Sequence, residues 1–354
     1  MTGTVTDLAI RSLAGLVDLD VERTEYRGHA RELAAAARGD LVIVLGGDGS
    51  INEVVNGVMG RNGSGGADPG GNGPGAEGPG ADRPGADRPG AEGPGAEGPG
   101  ADRTGAEGPG AEGPGAEGPG ADGPGTGSRP LIAIIPGGGA NVLARGLGLP
   151  VDAAAAIYRV REAIAADRYR TIGLGLAADR YFTFSAGLGL DAEVVREVDR
   201  LRSEGRRESA SLFLQTMLRQ YYRGTDRRRP ALTLERDGEP PAGDLFMTII
   251  TNRSPWTYFR GRPLLPVPDP DFNSGLDLLG LRQIRLTTIV NAVGQMLYIR
   301  SRPPRGRNML SVLGSESLTI RSARPIAFHV DGEYLGETEA VKFQFVPRAL
   351  CIAA

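Results

Sequence analysis

Asp48 sits inside a run of glycines, Gly46-Gly47-Asp48-Gly49-Ser50, and that placement looks contradictory. Glycines at a turn let backbone N–H groups come close to an anion, whereas a carboxylate in their midst repels one. The contradiction resolves if Asp48 holds a metal ion or takes the proton of an attacking hydroxyl, as in metal-assisted phosphoryl transfer. The plain alternative is a tight strand-to-helix turn, with the glycines supplying positive φ and Asp48 capping the helix. A second run, Gly137-Gly138-Gly139-Ala140-Asn141, could form a matching cradle.

The elements that must position these turns can be read from hydrophobic period. Leu41-Val42-Ile43-Val44-Leu45 is an unbroken apolar run, as expected of a strand buried on both faces. Ile51, Val54, Val55 and Val58 then recur at helical spacing. Leu131 to Pro136 repeats the strand pattern before the second glycine run, and 142–148 reads as a short helix. Upstream, the pattern predicts helices over 1–20 and 29–38 with a strand at 20–26 between them. Strand and helix alternate, which implies a parallel sheet covered by helices, with ligands at its carboxyl edge. After an Ala-rich helix at 151–167 the texture becomes β-rich. Short strands are predicted at 169–176, 181–186, 231–236, 245–251, 276–281, 317–322, 326–330 and 340–346. The expected fold is an N-terminal α/β domain with a parallel sheet, formed by 1–61 and 129–150, followed by a C-terminal antiparallel β-sandwich domain at 151–354.

Between the two glycine turns, 73–122 repeats a five-residue unit of the type Gly-Pro-Gly-Ala-Glu. A period of five is not the collagen period, which needs glycine at every third position, and nothing in the repeat can bury apolar surface. A disordered low-complexity insert at 62–128 is therefore expected. It holds eleven acidic residues and three arginines, a net of −8, so the rest of a −3 chain carries +5. A mildly basic body suits ATP or an anionic membrane surface and falls short of a nucleic-acid binder.

Cys351 is the single cysteine, which excludes an intramolecular disulfide and fits a reducing compartment. No apolar run reaches membrane-spanning length, and the N-terminus lacks the apolar core of a signal peptide. The expected location is the cytoplasm, peripheral at the inner membrane face. Two histidines, His29 and His329, argue against a histidine metal site.

Gly46-Gly47-Asp48-Gly49-Ser50, followed by Asn52-Glu53-Val54-Val55-Asn56-Gly57, resembles the signature of the diacylglycerol kinase catalytic family. The stretch 136–145 resembles that family's second glycine turn, matching at Asn141, Ala144 and Arg145. Gly139 replaces a threonine there and Val142 an aspartate. Gly187-Leu188-Gly189-Leu190-Asp191-Ala192 and Asp331-Gly332-Glu333 resemble two later elements. The resemblance implies catalytic roles for Asp48 and Glu333, with Asp48 also the metal ligand. It implies ATP contacts from Gly46, Gly47, Gly49, Ser50, Glu53, Gly137, Gly138, Gly139, Asn141 and Arg145. Asp191 and Asp331 would face the acceptor. For Asp331-Gly332 the alternative is an ordinary hairpin turn.

The resemblance implies an ATP- and Mg2+-dependent kinase acting on a hydroxyl of diacylglycerol, a sphingoid base or a related lipid. Its expected partner is a lipid surface and not nucleic acid, and a homodimer is left open. The family opens with a strand ending in Asn-Pro, and this sequence begins at what reads as the next helix. An upstream extension restoring that strand is expected to raise ATP affinity. No P-loop is present, and Lys342 is the only lysine, so Mg2+ and arginines must neutralise phosphate charge. The alternatives are an NAD kinase-like enzyme and a non-catalytic lipid- or nucleotide-binding protein.

Overall fold

The apolar run after Asp40 forms β1 (Leu41–Gly46), which pairs in parallel with β2 (Leu131–Pro136), in register from Leu41↔Leu131 to Gly46↔Pro136. The computed structural model describes residues 2–61, 131–204, 210–252, 255–259, 261–267, 272–298 and 302–354. The expected disordered insert lies outside the described residues.

Side chains alternate across a strand, and β2 is buried on both faces from Ile132 on. β1, at the end of the strand order, is buried only at Val44 and half-buried elsewhere, so the expectation for 41–45 holds only in part. Val42, Val44, Ile132 and Ile134 face one core, closed by α2 (His29–Ala36), α3 (Asp48–Arg61) and α4 (Val142–Gly146). Leu41, Ile43, Ala133 and Ile135 face the other, closed by α1 (Thr2–Leu13) and α5 (Ala153–Ala165). Helix α2 lies very close against α3 because Gly57 has no side chain. A Cβ there would stand 2.3 Å from the Arg31 carbonyl oxygen and 2.8 Å from Ala34 Cβ.

The second half is rich in antiparallel strands. They are β3 (Tyr169–Ala177), β4 (Arg180–Phe182), β5 (Ser185–Gly189), β6 (Leu232–Glu235), β7 (Ala242–Leu245) and β8 (Met247–Thr251). After the small β9 (Thr257–Phe259) and β10 (Arg262–Leu264) hairpin come β11 (Leu276–Leu281), β12 (Met309–Ser315), β13 (Ser317–Val330) and β14 (Glu333–Ala353). The main ladder runs β1-β2-β14-β13-β5-β8-β11-β12, with β3, β4, β6 and β7 branching from it. β14 joins the halves: Ile352 and Ala353 pair in parallel with Ile132 and Ala133 on one side and antiparallel with Arg170 and Tyr169 of β3 on the other, while its earlier residues pair antiparallel with β13 and β3.

Helices α6 (Leu190–Ser203), α7 (Ala210–Arg219) and α8 (Leu286–Tyr298) interrupt the strands, and a single π-turn follows α7. Leu190, Val194 and Val198 of α6 and Ala292 and Met296 of α8 cover Ile249, Leu279 and Leu281. Several expectations change: the strands expected at 181–186 and 245–251 are each divided, between β4 and β5 and between β7 and β8. Residues 20–26 form no strand: all are exposed and mostly charged, so pairing them would bury nothing. The separate strands at 317–322 and 326–330 are one strand, β13, with its register broken between Arg321 and Ile326. Among the described residues no helix is long and apolar enough to cross a membrane.

Candidate active site

Because β1 and β2 are parallel and in register, their glycine turns emerge side by side at the carboxyl edge. The Gly137 N–H donates to the Gly46 carbonyl at 2.8 Å. A Cβ on Gly138 would lie 2.7 Å from Gly47 Cα, and one on Gly46 would lie 2.8 Å from Ser50 Cβ. Only glycine allows two backbones to approach this closely. Gly49 and Gly139 differ, since a Cβ on either would meet nothing within 4 Å, so both border open space.

Asn141 locks the second turn. It adopts a left-handed conformation with φ 49°, which asparagine tolerates better than most residues. Its Oδ1 accepts from the Gly138 N–H at 3.0 Å and its Nδ2 donates to the Gly138 carbonyl at 2.8 Å. Asp48 opens α3, and its Oδ1 accepts from the Leu143 N–H at 3.3 Å. One carboxylate thus links the starts of α3 and α4. The positive end of the α3 dipole and the glycine amides make this edge suited to an anion.

One turn further along α3, about 6 Å along its axis, a second polar cluster begins. Asn52 donates to Asp331 Oδ2 at 2.8 Å, and its Oδ1 accepts from Arg180 Nη2 at 3.1 Å. Arg180 pairs with Glu333, which also accepts from Arg27 at 2.9 Å. Burial opposes the Arg27 charge, but Glu333, Asp199 and Glu53 outweigh it and raise the Arg27 pKa. Asn56, at i+4 from Asn52, exchanges hydrogen bonds with the Tyr181 backbone at 2.9 and 3.0 Å. Helix α3 is therefore bonded to β4 and, through Asp331, to the β13–β14 turn.

That turn is a two-residue hairpin loop with positive φ at both Asp331 (45°) and Gly332 (77°), the preferred hairpin geometry. Asp331 is buried. Its carboxylate accepts from the backbone N–H of Thr183, Phe184 and Ser185, from the Thr183 hydroxyl and from Asn52. Burial pushes its pKa above the ordinary carboxylate value, and the amide donors oppose that push.

The remaining candidates lie elsewhere. Glu53 accepts from the N–H groups of Gly28 and Ala30 at 2.9 and 3.2 Å, capping α2. Arg145 holds its guanidinium 4.5 Å from the centre of the Tyr258 ring. Asp191 Oδ2 lies 2.8 Å from His329 Nε2, and both residues are buried. The structure therefore gathers Gly46, Gly47, Asp48, Gly49, Ser50, Gly137, Gly138, Gly139 and Asn141 at one edge. It sets Asp331 and Glu333 one helical turn away and gives Glu53 and Asp191 partners of their own. Arg27, Arg180 and His329 enter the polar clusters although local sequence marks none of them as a site residue, and Asn52, which lies in the first motif, joins them. The Asn52/Asn56 spacing, an i, i+4 pair beside apolar Ile51 and Val55, was the one available signal.

Residues 6–72 match the diacylglycerol kinase catalytic domain. No curated protein matches the sequence significantly. The fold is similar to that of a "putative diacylglycerol kinase" from Bacillus anthracis str. Sterne, with a TM-score of 0.63 at 18% identity, covering 99% of this chain and 91% of that one. It is also similar to a diacylglycerol kinase structure from the same organism, with a TM-score of 0.57 at 16% identity, covering 99% and 90%. The match to the diacylglycerol kinase catalytic domain is carried by residues 6–72, and the fold around that segment is similar to that of these two structures.

Proposed function

We propose that the protein is a lipid kinase that transfers the γ-phosphoryl group of ATP to a lipid hydroxyl. The observation that carries this reading is the contact between the Gly46–Gly49 and Gly137–Gly139 turns, with Asp48 at the start of α3. The residues suit a nucleotide phosphate: open space beside Gly49 and Gly139, first-turn amides of a long helix, and a carboxylate at their edge. Among the described residues no cluster of three or more His, Cys, Asp or Glu side chains could hold a metal alone. A Mg2+ ion would thus be held by Asp48 together with phosphate oxygens and water, and would supply charge neutralisation for phosphoryl transfer.

The chain's own residues divide the work. The glycine amides orient the phosphates, and Asn141 keeps the second turn in shape. Glu333, held by Arg27 and Arg180, lies on the acceptor side one helical turn away. Peripheral contact with an anionic membrane is supported by α8, whose Leu286, Val290 and Tyr298 are 46%, 62% and 72% exposed. From Leu278 to Ser315 the sequence has six arginines and no acidic residue, so this apolar stripe sits within positive charge.

The deciding experiment supplies radiolabelled ATP and Mg2+ with vesicles of diacylglycerol, sphingoid bases and other lipids. Labelled lipid is expected from the native protein. Asp48→Asn keeps an acceptor for the Leu143 amide and removes the charge, so turnover should fall below a few per cent with the melting curve nearly unchanged. Activity above a few per cent in Asp48→Asn overturns the part given to Asp48, and no labelled lipid with any acceptor overturns the kinase reading in favour of a non-catalytic binding protein.

A further inference from the structure

Far along the chain from the glycine turns, a cavity of about 280 Å³ opens between the segment after α7 and the N-terminal end of α8. Four arginines line it, Arg227, Arg228, Arg282 and Arg285, together with Tyr221 and Phe246, and no acidic residue does. Two of the guanidiniums are fixed. Arg282 donates through Nη1 to the Gly243 carbonyl at 2.6 Å, and Arg227 lies 4.8 Å from the centre of the Tyr221 ring.

Among the described residues none of the four is paired with a carboxylate. The neighbouring acid, Asp226, is turned to the backbone: its Oδ1 accepts from the Arg228 N–H at 2.9 Å. That bond comes first among the causes that lower its pKa. Helix α8 begins at Leu286, directly after Arg285, and adds the positive end of a 13-residue helix.

Four like charges around one opening repel each other, and nothing in the cavity wall offsets that repulsion. An oxyanion placed there would. Guanidinium forks match the tetrahedral oxygens of a phosphate, and several can engage it at once. Tyr221 and Phe246 supply an apolar wall for the organic part of such a ligand. We propose that this cavity is a second phosphate-binding site, separate from the glycine turns, which takes a phosphomonoester or phosphodiester group. The inference stands apart from the kinase reading, because its readout is binding and needs no turnover.

The test compares the native chain with Arg228→Ser/Arg285→Ser and with a control of equal charge loss, Arg161→Ser/Arg168→Ser. Neither guanidinium in the test pair makes an ion pair among the described residues, so the fold should hold. Arg228→Gln/Arg285→Gln provides a second, milder variant. Binding of inorganic phosphate is measured by calorimetry at fixed ionic strength. Phosphate held at the glycine turns is retained in every variant, so the component of interest is the one lost only in the cavity variants. That component should weaken by about tenfold or more, with the control unchanged.

Sedimentation with phosphatidylcholine vesicles, with or without phosphatidylglycerol, then separates the two sources of phosphate. Loss of sedimentation in the cavity variants, together with competition by free phosphate, assigns a lipid headgroup. Unchanged sedimentation alongside lost phosphate binding assigns a soluble phosphate. Equal losses in the control and cavity variants, or no difference between native and cavity variants in either assay, overturns the proposal.

Discussion

Asp331 and Glu333 stand two residues apart, yet their surroundings differ. Asp331 is buried beneath five donors, whereas Glu333 keeps a fifth of its side chain exposed between two arginines. Replacing Asp331 with Asn turns an amide N–H2 towards groups that are themselves donors. The loss should be roughly 2–4 kcal/mol, read as a lower urea midpoint with an unchanged slope. Glu333→Gln should cost within about 1 kcal/mol, because its ion pairs are partly solvated. Its effect should instead appear in the rate of phosphoryl transfer. If Glu333→Gln unfolds the protein as readily as Asp331→Asn, Glu333 is a structural residue. The glycine turns were legible in the sequence because their residues are consecutive and the period changes around them. The pairing of Asp191 with His329 was not, since 138 positions separate them and nothing local to either points to the other. Arg27 and Arg180 were hidden among many arginines, and only the fold singles them out.

At the scale of elements, α3 spans both clusters, with its first turn at the glycine edge and its second bonded to Asp331 and Arg180. Two of its glycines make opposite predictions. A Cβ on Gly57 would strike the Arg31 carbonyl, while one on Gly60 would meet nothing within 4 Å. Gly57→Ala should push α2 away and destabilise the protein by about 1–3 kcal/mol. Gly60→Ala should be neutral or stabilising by up to about 1 kcal/mol. Thermal melts of the pair check both signs.

Helix α8 offers a separate test. Val290→Glu puts a negative charge in the exposed stripe and should weaken binding to anionic vesicles, and added salt should weaken native binding too. A changed oligomeric state with vesicle binding intact would mean that a second copy of the chain covers the stripe. The α8 stripe was partly readable as an amphipathic segment. Its placement over Ile249 and Leu279 was not, because that depends on strands remote in sequence.

For the molecule as a whole, the described residues within 1–65 and 127–354 belong to one compact unit. Replacing 62–128 with a short Gly/Ser linker is therefore expected to leave kcat/KM close to native. A large loss would assign the repeat a part in the reaction. The α/β half, the β-rich half and the segment that matches the diacylglycerol kinase catalytic domain were legible because buried parallel strands, alternating strands and glycine turns each leave a local pattern. What sequence reading did not reach was how the halves are joined, a property of pairing between distant segments. The strand that joins them bears on synthesis. Ile352 pairs with Ile132 across 220 positions, so one flank of β2 has no partner until the ribosome has passed residue 353. The glycine edge is encoded early in the chain, but its supporting sheet is completed late. Throughout that interval β2 is an open strand edge, exposed to mispairing and to whatever chaperones guard such edges.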